Sequence, residues 1–153
     1  MKIIDILPEA LVLPALKGKT KEEVLRELSV AMAGQHPEID ANRLVEVLWE
    51  RERLGSTAIG DGIAIPHGKL PGLKTVLGAF GRHPQGVDFQ SLDGKPTKLL
   101  FLLVAPEDSV GQHLKALARV SRLLKDPAFR TQLMSASDQD ELFRRIREED
   151  DKY

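Results

Sequence analysis

Val24, Leu25, Leu28, Ala31 and Met32 recur at helical spacing behind Thr20 and Glu23, a pair that forms a capping box, and this predicts a first amphipathic helix. Leu44, Val47 and Leu48 repeat the spacing and predict a second helix from near Asp40 to Arg53. Arg51 then falls in its last turn, where unpaired carbonyls favour a cation. Strands are expected at 63 to 65, 75 to 81 and 98 to 104. The last is apolar at consecutive positions, the mark of a central strand covered on both faces. Asp93-Gly94 supplies a hairpin-like turn before it. A third long helix opens at Ser109 or a neighbour, with Leu114, Leu117, Ala118, Ser121 and Leu124 expected inward. Asp126-Pro127 reads as an N-cap followed by proline at the first helical position, and Ser137 with Asp140 opens the last helix. The charged tail from Arg147 is expected to fray.

Strands between helices, with one turn suited to an antiparallel pair, predict an α/β fold: a mixed β-sheet flanked by helices on both faces, in a single domain over 1–153. At 153 residues the chain can bury roughly 70% of its unfolded surface, so one core suffices. A formal net charge of −1 leaves no basic excess to draw nucleic acid or an anionic membrane. The absence of cysteine excludes disulfides, thiolate metal sites and cysteine nucleophiles. No apolar run approaches the ~20 residues that span a bilayer, and the N-terminus lacks the apolar core of a signal peptide. No membrane insertion is expected, and a cytoplasmic location follows.

The candidate chemistry lies in Ile63-Ala64-Ile65-Pro66-His67-Gly68. Pro66 cannot donate to a sheet and Gly68 is conformationally free, so the chain is expected to leave the sheet sharply at His67 and display its imidazole. A neutral imidazole, with a reference pKa of about 6.5, is a competent nucleophile at neutral pH. Gly55, Gly60 and Gly62 would let backbone N–H groups converge on a phosphate, with Ser56 and Thr57 adding hydroxyl donors and Arg51 adding paired charge-assisted bonds. The plainer reading makes the glycines turn residues and Arg51 a solvated helix-end cation; the ordered clustering favours a site. His36 and His83, each beside a proline, read as loop residues. No metal-ligand spacing and no nucleotide-binding glycine pattern is present, so neither metal nor cofactor is expected.

The stretch Arg51-Glu52-Arg53-Leu54-Gly55-Ser56-Thr57-Ala58-Ile59-Gly60-Asp61-Gly62, running into Ile65-Pro66-His67-Gly68-Lys69-Leu70, resembles the active-site signature of the EIIA type-2 domains (mannitol/fructose class) of the bacterial phosphoenolpyruvate-dependent phosphotransferase system. Free-standing nitrogen-regulatory EIIA proteins are the nearest in character. The Leu-Phe-Leu-Leu-Val-Ala-Pro run and Gln112-His113-Leu114 resemble later family landmarks, so the likeness spans nearly the whole chain. It implies that His67 is phosphorylated, that Arg51 contacts the phosphoryl group and that His113 lies beside His67. Near a helix start a neutral His113 is favoured, able to bond a phosphoryl oxygen or orient His67; the alternative is an ordinary surface histidine. Ala58 and Asp61 stand where many members of the family carry glycine and asparagine. Asp61 is expected to point outward and cap the turn.

The implied function is that of a phosphocarrier, accepting a phosphoryl group from a histidine-phosphorylated HPr-like protein and acting mainly as a regulator through its phosphorylation state. A chain running from Met1 to Tyr153 without a fused B or membrane segment favours this expectation. The alternatives are a sugar-transport EIIA subunit passing phosphate to a separate EIIB, and a binding module that has lost transfer. Ile63, Ile65 and Leu70 would give the site an apolar rim for regulated target proteins.

Overall fold

The run that the sequence marks as apolar on both faces forms the middle of the sheet. In the computed structural model, which describes residues 1–153, it is the strand Thr97–Pro106. In chain order, two 3-10 turns (Ile3–Asp5 and Glu9–Leu11) lead to β1 (Val12–Leu13), α1 (Lys21–Gln35) and α2 (Ala41–Arg53). Then come β2 (Ala58–Gly60), β3 (Ile63–Ala64), β4 (His67–Leu70), β5 (Leu77–Val87), β6 (Thr97–Pro106), α3 (Val110–Leu124), α4 (Pro127–Ser135) and α5 (Gln139–Asp150). The sheet order is β1-β5-β6-β3-β2, with β4 also pairing β6. It is mixed: β5 runs antiparallel to β6 with Phe80 opposite Phe101, whereas β3 and β4 lie parallel to it in succession. Helices α1 and α2 cover one face. On the other, Phe80 and Phe101 meet Val120 and Leu123 of α3, Phe129 and Leu133 of α4 and Ile146 of α5.

The chain does not leave the sheet at His67. Pro66 has no N–H to offer and breaks the strand, but its carbonyl accepts from Leu103 N at 3.0 Å, which holds the chain in line so that pairing resumes with His67 opposite Leu103. Side chains alternate along a strand, so Lys69 stands on the same face as His67. β5 runs past the expected 75 to 81, and His83 is a buried strand residue rather than a loop residue. Its ring is held between Gly18 O at 2.8 Å and Gly86 N at 3.0 Å. The antiparallel pair exists, but its connection, residues 88–96, is longer than a two-residue turn. Asp93 organises it by accepting from Ser91, Lys95 and Asp61.

Helix α3 is turned from the expected orientation by about one residue. His113, Ala116, Val120, Leu123 and Leu124 face inward, and Leu114 is 61% exposed. The inward set is itself spaced by three and four, so His113 belongs to the apolar seam that the choice of Leu114 displaced. The last helix is capped by Asp138 rather than Ser137, accepting from Glu141 N at 2.9 Å. The stretch expected to fray is helical through Asp150. Burial explains this: the Asp150 carboxylate is 0% exposed, takes Arg119 of α3 at 2.7 Å and accepts from Ile4 N at 3.2 Å. Lys2 Nζ adds bonds to Asp150 O at 3.3 Å and Asp151 at 3.2 Å, tying both chain ends to α3.

Gly68 is where α2 crosses β4. A Cβ there would lie 2.6 Å from Val47 Cγ1, so only glycine lets the helix carrying Arg51 approach the strand carrying His67 this closely. Gly68→Ala should destabilise the protein by about 1–3 kcal/mol through overpacking, seen as a lower midpoint in chemical denaturation. A midpoint equal to the wild type would show that α2 has room to give way.

Candidate functional site

Helix α2 ends at Arg53. Gly55, with φ 148°, turns the chain back so that Gly55 N donates to Glu52 O at 3.1 Å and Arg51 Nη1 donates to Gly55 O at 3.0 Å. Two neighbours on this last turn point opposite ways. Arg51 lines an open hollow, whereas Glu52 is buried, pairing with Lys21 of α1 at 2.8 Å and accepting from Thr57 N at 3.0 Å and from the Thr57 hydroxyl. Gly60, the last residue of β2, and Asp61 and Gly62 after it all take positive φ, making the turn into β3. The chain then crosses Ile65 and Pro66 to His67, half-buried on the wall of the same hollow. His113, in the first turn of α3, completes that wall, its ring centroid 5.5 Å from that of His67 and the rings nearly perpendicular at 73°.

The state of His67 follows from one contact. Its Nδ1 lies 2.8 Å from Ile65 O, and a carbonyl can only accept, so Nδ1 carries the proton and Nε2 keeps its lone pair. Burial lowers the His67 pKa below the ordinary histidine value; the Ile65 bond opposes the shift, Arg51 adds to it and Glu52 counters. The His113 pKa is also lowered, first by burial and then by His67 and Lys69. Both rings are therefore neutral at pH 7. His113 Nε2 is buried and has no hydrogen-bond partner within the protein.

The structure thus brings Arg51, His67 and His113 together on one surface and leaves Ser56 and Thr57 out of it. The Ser56 hydroxyl donates to Phe89 O and that of Thr57 to Glu52, so both are committed to holding the loop. Gly55, Gly60 and Gly62 form turns rather than an anion nest at the imidazole; none of them lines the hollow. Asp61 is exposed and lines a different hollow with Lys98 and Arg130. Ile63, Ile65 and Leu70 are core residues at 1%, 3% and 5% exposure, so they make no rim. The exposed apolar side chains near the site are Leu54 and Leu114, with Val110 a turn earlier on α3. Lys69, Arg43 and Glu50 also line the hollow and were not foreseen. Lys69 was legible as the second residue after His67, had the strand been carried past the proline. The buried Lys21–Glu52 pair left no local signal, since its partners lie 31 positions apart.

Comparison with known proteins decides the family. The model for the phosphoenolpyruvate-dependent sugar phosphotransferase system, EIIA 2, matches residues 5–149. The chain belongs to this family. A nitrogen regulatory protein of Bradyrhizobium diazoefficiens is 46% identical to this EIIA chain over 138 residues, covering 90% of each. The fructose-specific EIIABC component of Bacillus subtilis is 37% identical over 150 residues, which are 98% of this EIIA chain and 24% of that larger protein. Among solved structures, the nitrogen regulatory protein IIA-Ntr of Neisseria meningitidis superposes with a TM-score of 0.88 at 33% identity, covering 94% of this chain and 98% of that one. No helix of this EIIA protein is long and apolar enough to cross a membrane.

The lowered histidine pKa values set a direction for pH dependence. The unfolded chain takes up protons near pH 6.5 while folded His67 and His113 do not, so this part of the stability is present above about pH 6.5 and is lost as pH falls through the folded values. Imidazole titrations followed by NMR should give midpoints below 6.5 for both rings. The thermal midpoint should fall between roughly pH 6.5 and pH 5 less steeply in a His67→Asn/His113→Gln variant than in the wild type. Equal slopes would show that neither ring is perturbed by the fold.

Proposed function

We propose that this EIIA protein is a phosphocarrier whose His67 Nε2 accepts a phosphoryl group from a histidine-phosphorylated HPr-like protein in the cytoplasm, and that it acts mainly as a regulator through its phosphorylation state. The observation that carries the reading is the bond from His67 Nδ1 to Ile65 O, which leaves the nucleophilic lone pair on the nitrogen that faces away from the backbone.

In the transfer, the Nε2 lone pair attacks phosphorus as the bond from phosphorus to the donor imidazole nitrogen breaks. The departing electrons return to the donor ring. The His67 ring gains positive character as its new bond forms, and the Ile65 carbonyl stabilises the Nδ1–H that shares it. The transferred group brings nearly two negative charges. Arg51 can turn a second guanidinium N–H to a phosphoryl oxygen while Nη1 stays on Gly55, and Lys69 contributes charge from the same face of β4. His113, its ring centroid 5.5 Å from that of His67, can orient the reactive imidazole, and its unpartnered Nε2 can bond a phosphoryl oxygen once the ring turns toward the hollow. Neither metal nor nucleotide enters this scheme, because the donor imidazole is already a good leaving group.

The test is incubation with the phosphoenolpyruvate-dependent donor system and an HPr-like carrier. The label should be acid-labile and base-stable, should sit on His67, and should be bonded at Nε2 by phosphorus–nitrogen NMR coupling. Label on His36, His83 or His113 in a functional protein overturns the assignment. Arg51→Lys should slow transfer by about tenfold to a hundredfold, since it keeps charge but loses the forked donor geometry. Arg53→Lys, an exposed change outside the hollow, should leave the rate as it was. Equal small effects from the two would remove Arg51 from the site.

The likeness to a fructose-specific component over nearly the whole chain favours a second reading, a transport subunit that hands its phosphoryl group to an EIIB protein. Rapid loss of label from His67 to a purified EIIB with sugar phosphorylation would select it. Retention of label in the presence of EIIB, with altered binding of a target, would select regulation.

A further inference from the structure

We infer that Glu52, anchored by Lys21 and joined to Thr57, is a positioning residue that sets the aim of the His67 imidazole and the Arg51 guanidinium. The inference rests on the reading of His67 as the phosphoryl acceptor. A continuous chain of contacts carries it. Lys21 Nζ reaches Glu52 Oε1 at 2.8 Å, and the same carboxylate accepts from Thr57 N at 3.0 Å and from the Thr57 hydroxyl. Thr57 O accepts from Ile65 N at 3.1 Å, and Ile65 O accepts from His67 Nδ1 at 2.8 Å. The strap thus runs from the first residue of α1, through the last turn of α2 and the loop before β2, to the ring that reacts.

Three further observations point to placement rather than stability as what the pair supplies. Its side chains are 8% and 2% exposed, and an ion pair so far from water stabilises a fold little compared with apolar residues of the same size. Lys21 is fixed from other sides as well, donating to Gln90 Oε1 at 3.2 Å and standing 4.7 Å over the Phe89 ring. The ammonium therefore holds the carboxylate in one place. Glu52 also follows Arg51 directly, so the two side chains leave the helix about 100° apart, and pinning Glu52 inward turns Arg51 toward the hollow. The Glu52 charge opposes that of Arg51 at His67, where Arg43, Lys69, Glu50 and His113 also face the hollow.

Glu52→Gln, Thr57→Val and Thr57→Ser test this, with phosphoryl uptake from the HPr-like donor measured beside the tautomer of His67 read from imidazole nitrogen shifts. Thr57→Val keeps the shape and the backbone N–H but removes the hydroxyl, and Thr57→Ser restores it. The expected result is that kcat falls about tenfold or more in Glu52→Gln and Thr57→Val, with KM for the donor unchanged, as for a misaimed nucleophile. The second tautomer, with the proton on Nε2, should appear in both, and Thr57→Ser should return both readouts toward wild type. A folded Thr57→Val protein with wild-type kcat and a single Nδ1–H tautomer overturns the inference. Where Glu52→Gln does not fold, the two Thr57 variants decide it. A wild-type protein that takes up no phosphoryl group defeats the acceptor reading instead, and the tautomer comparison still decides whether Glu52 and Thr57 orient the ring.

Discussion

Backbone pairing along Thr97–Pro106 is the constraint on which the rest of the structure depends. One edge of that strand takes β5, and the other takes β3 and then β4, so the chain on either side of Pro66 is registered to a single ruler. A proline inside a sheet normally ends pairing because it has no N–H to give. Here the Pro66 carbonyl still accepts from Leu103, and the missing donor costs one bond rather than the strand. The Ile65 carbonyl leaves the opposite edge, the side on which Ile65 N donates to Thr57 O, and there it meets the imidazole two residues on. The register set by β6 on one edge and the tautomer set by Ile65 on the other thus meet within three residues, Ile65 to His67.

The elements that were legible in the sequence are those whose signal is local. Thr20 and Asp40 cap α1 and α2 as their chemistry requires, Asp126 caps α4 ahead of Pro127, and the apolar run of β6 announces its own burial. His67, Arg51 and His113 stood out for the same reason, each within a short motif. Where the structure departs from the sequence pattern, the cause is a contact that no local motif announces. Hydrophobicity alone points Leu114 inward, but His113 fills the seam because the hollow, rather than the core, begins at that end of α3. The Ser56 and Thr57 hydroxyls look free for a ligand in the sequence, but the structure supplies Phe89 O from a distant segment and the Glu52 carboxylate from the preceding helix turn. Arg147 to Asp150 looks like a solvated tail until Arg119 is seen across from it.

The hollow holds more cations than carboxylates, Arg43, Arg51 and Lys69 against Glu50. Two neutral imidazoles face each other beside Arg51 and Lys69, while Arg43 leans on Glu46 at 3.1 Å. On the proposed reading, the mutual repulsion of these cations is relieved by the phosphoryl dianion. Exposed Leu54 lines the hollow, and exposed Leu114 follows His113 on α3. On the proposed reading, a partner surface that covers Leu54 and Leu114 meets a net positive hollow before phosphorylation and a strongly hydrated dianion after it, so the same face responds to a single covalent change.

The clamp of Lys2 and Ile4 against Asp150 and Asp151 makes the polypeptide almost a closed ring. Both ends gather at Arg119, six residues along α3 from His113, or roughly 9 Å along the helix axis. A module grafted to either end would begin its tether from the same spot, and a short flexible linker would hold it near the hollow at an effective concentration in the millimolar range. Geometry of this kind makes N-terminal and C-terminal fusions nearly interchangeable as ways of delivering a second domain to the imidazole.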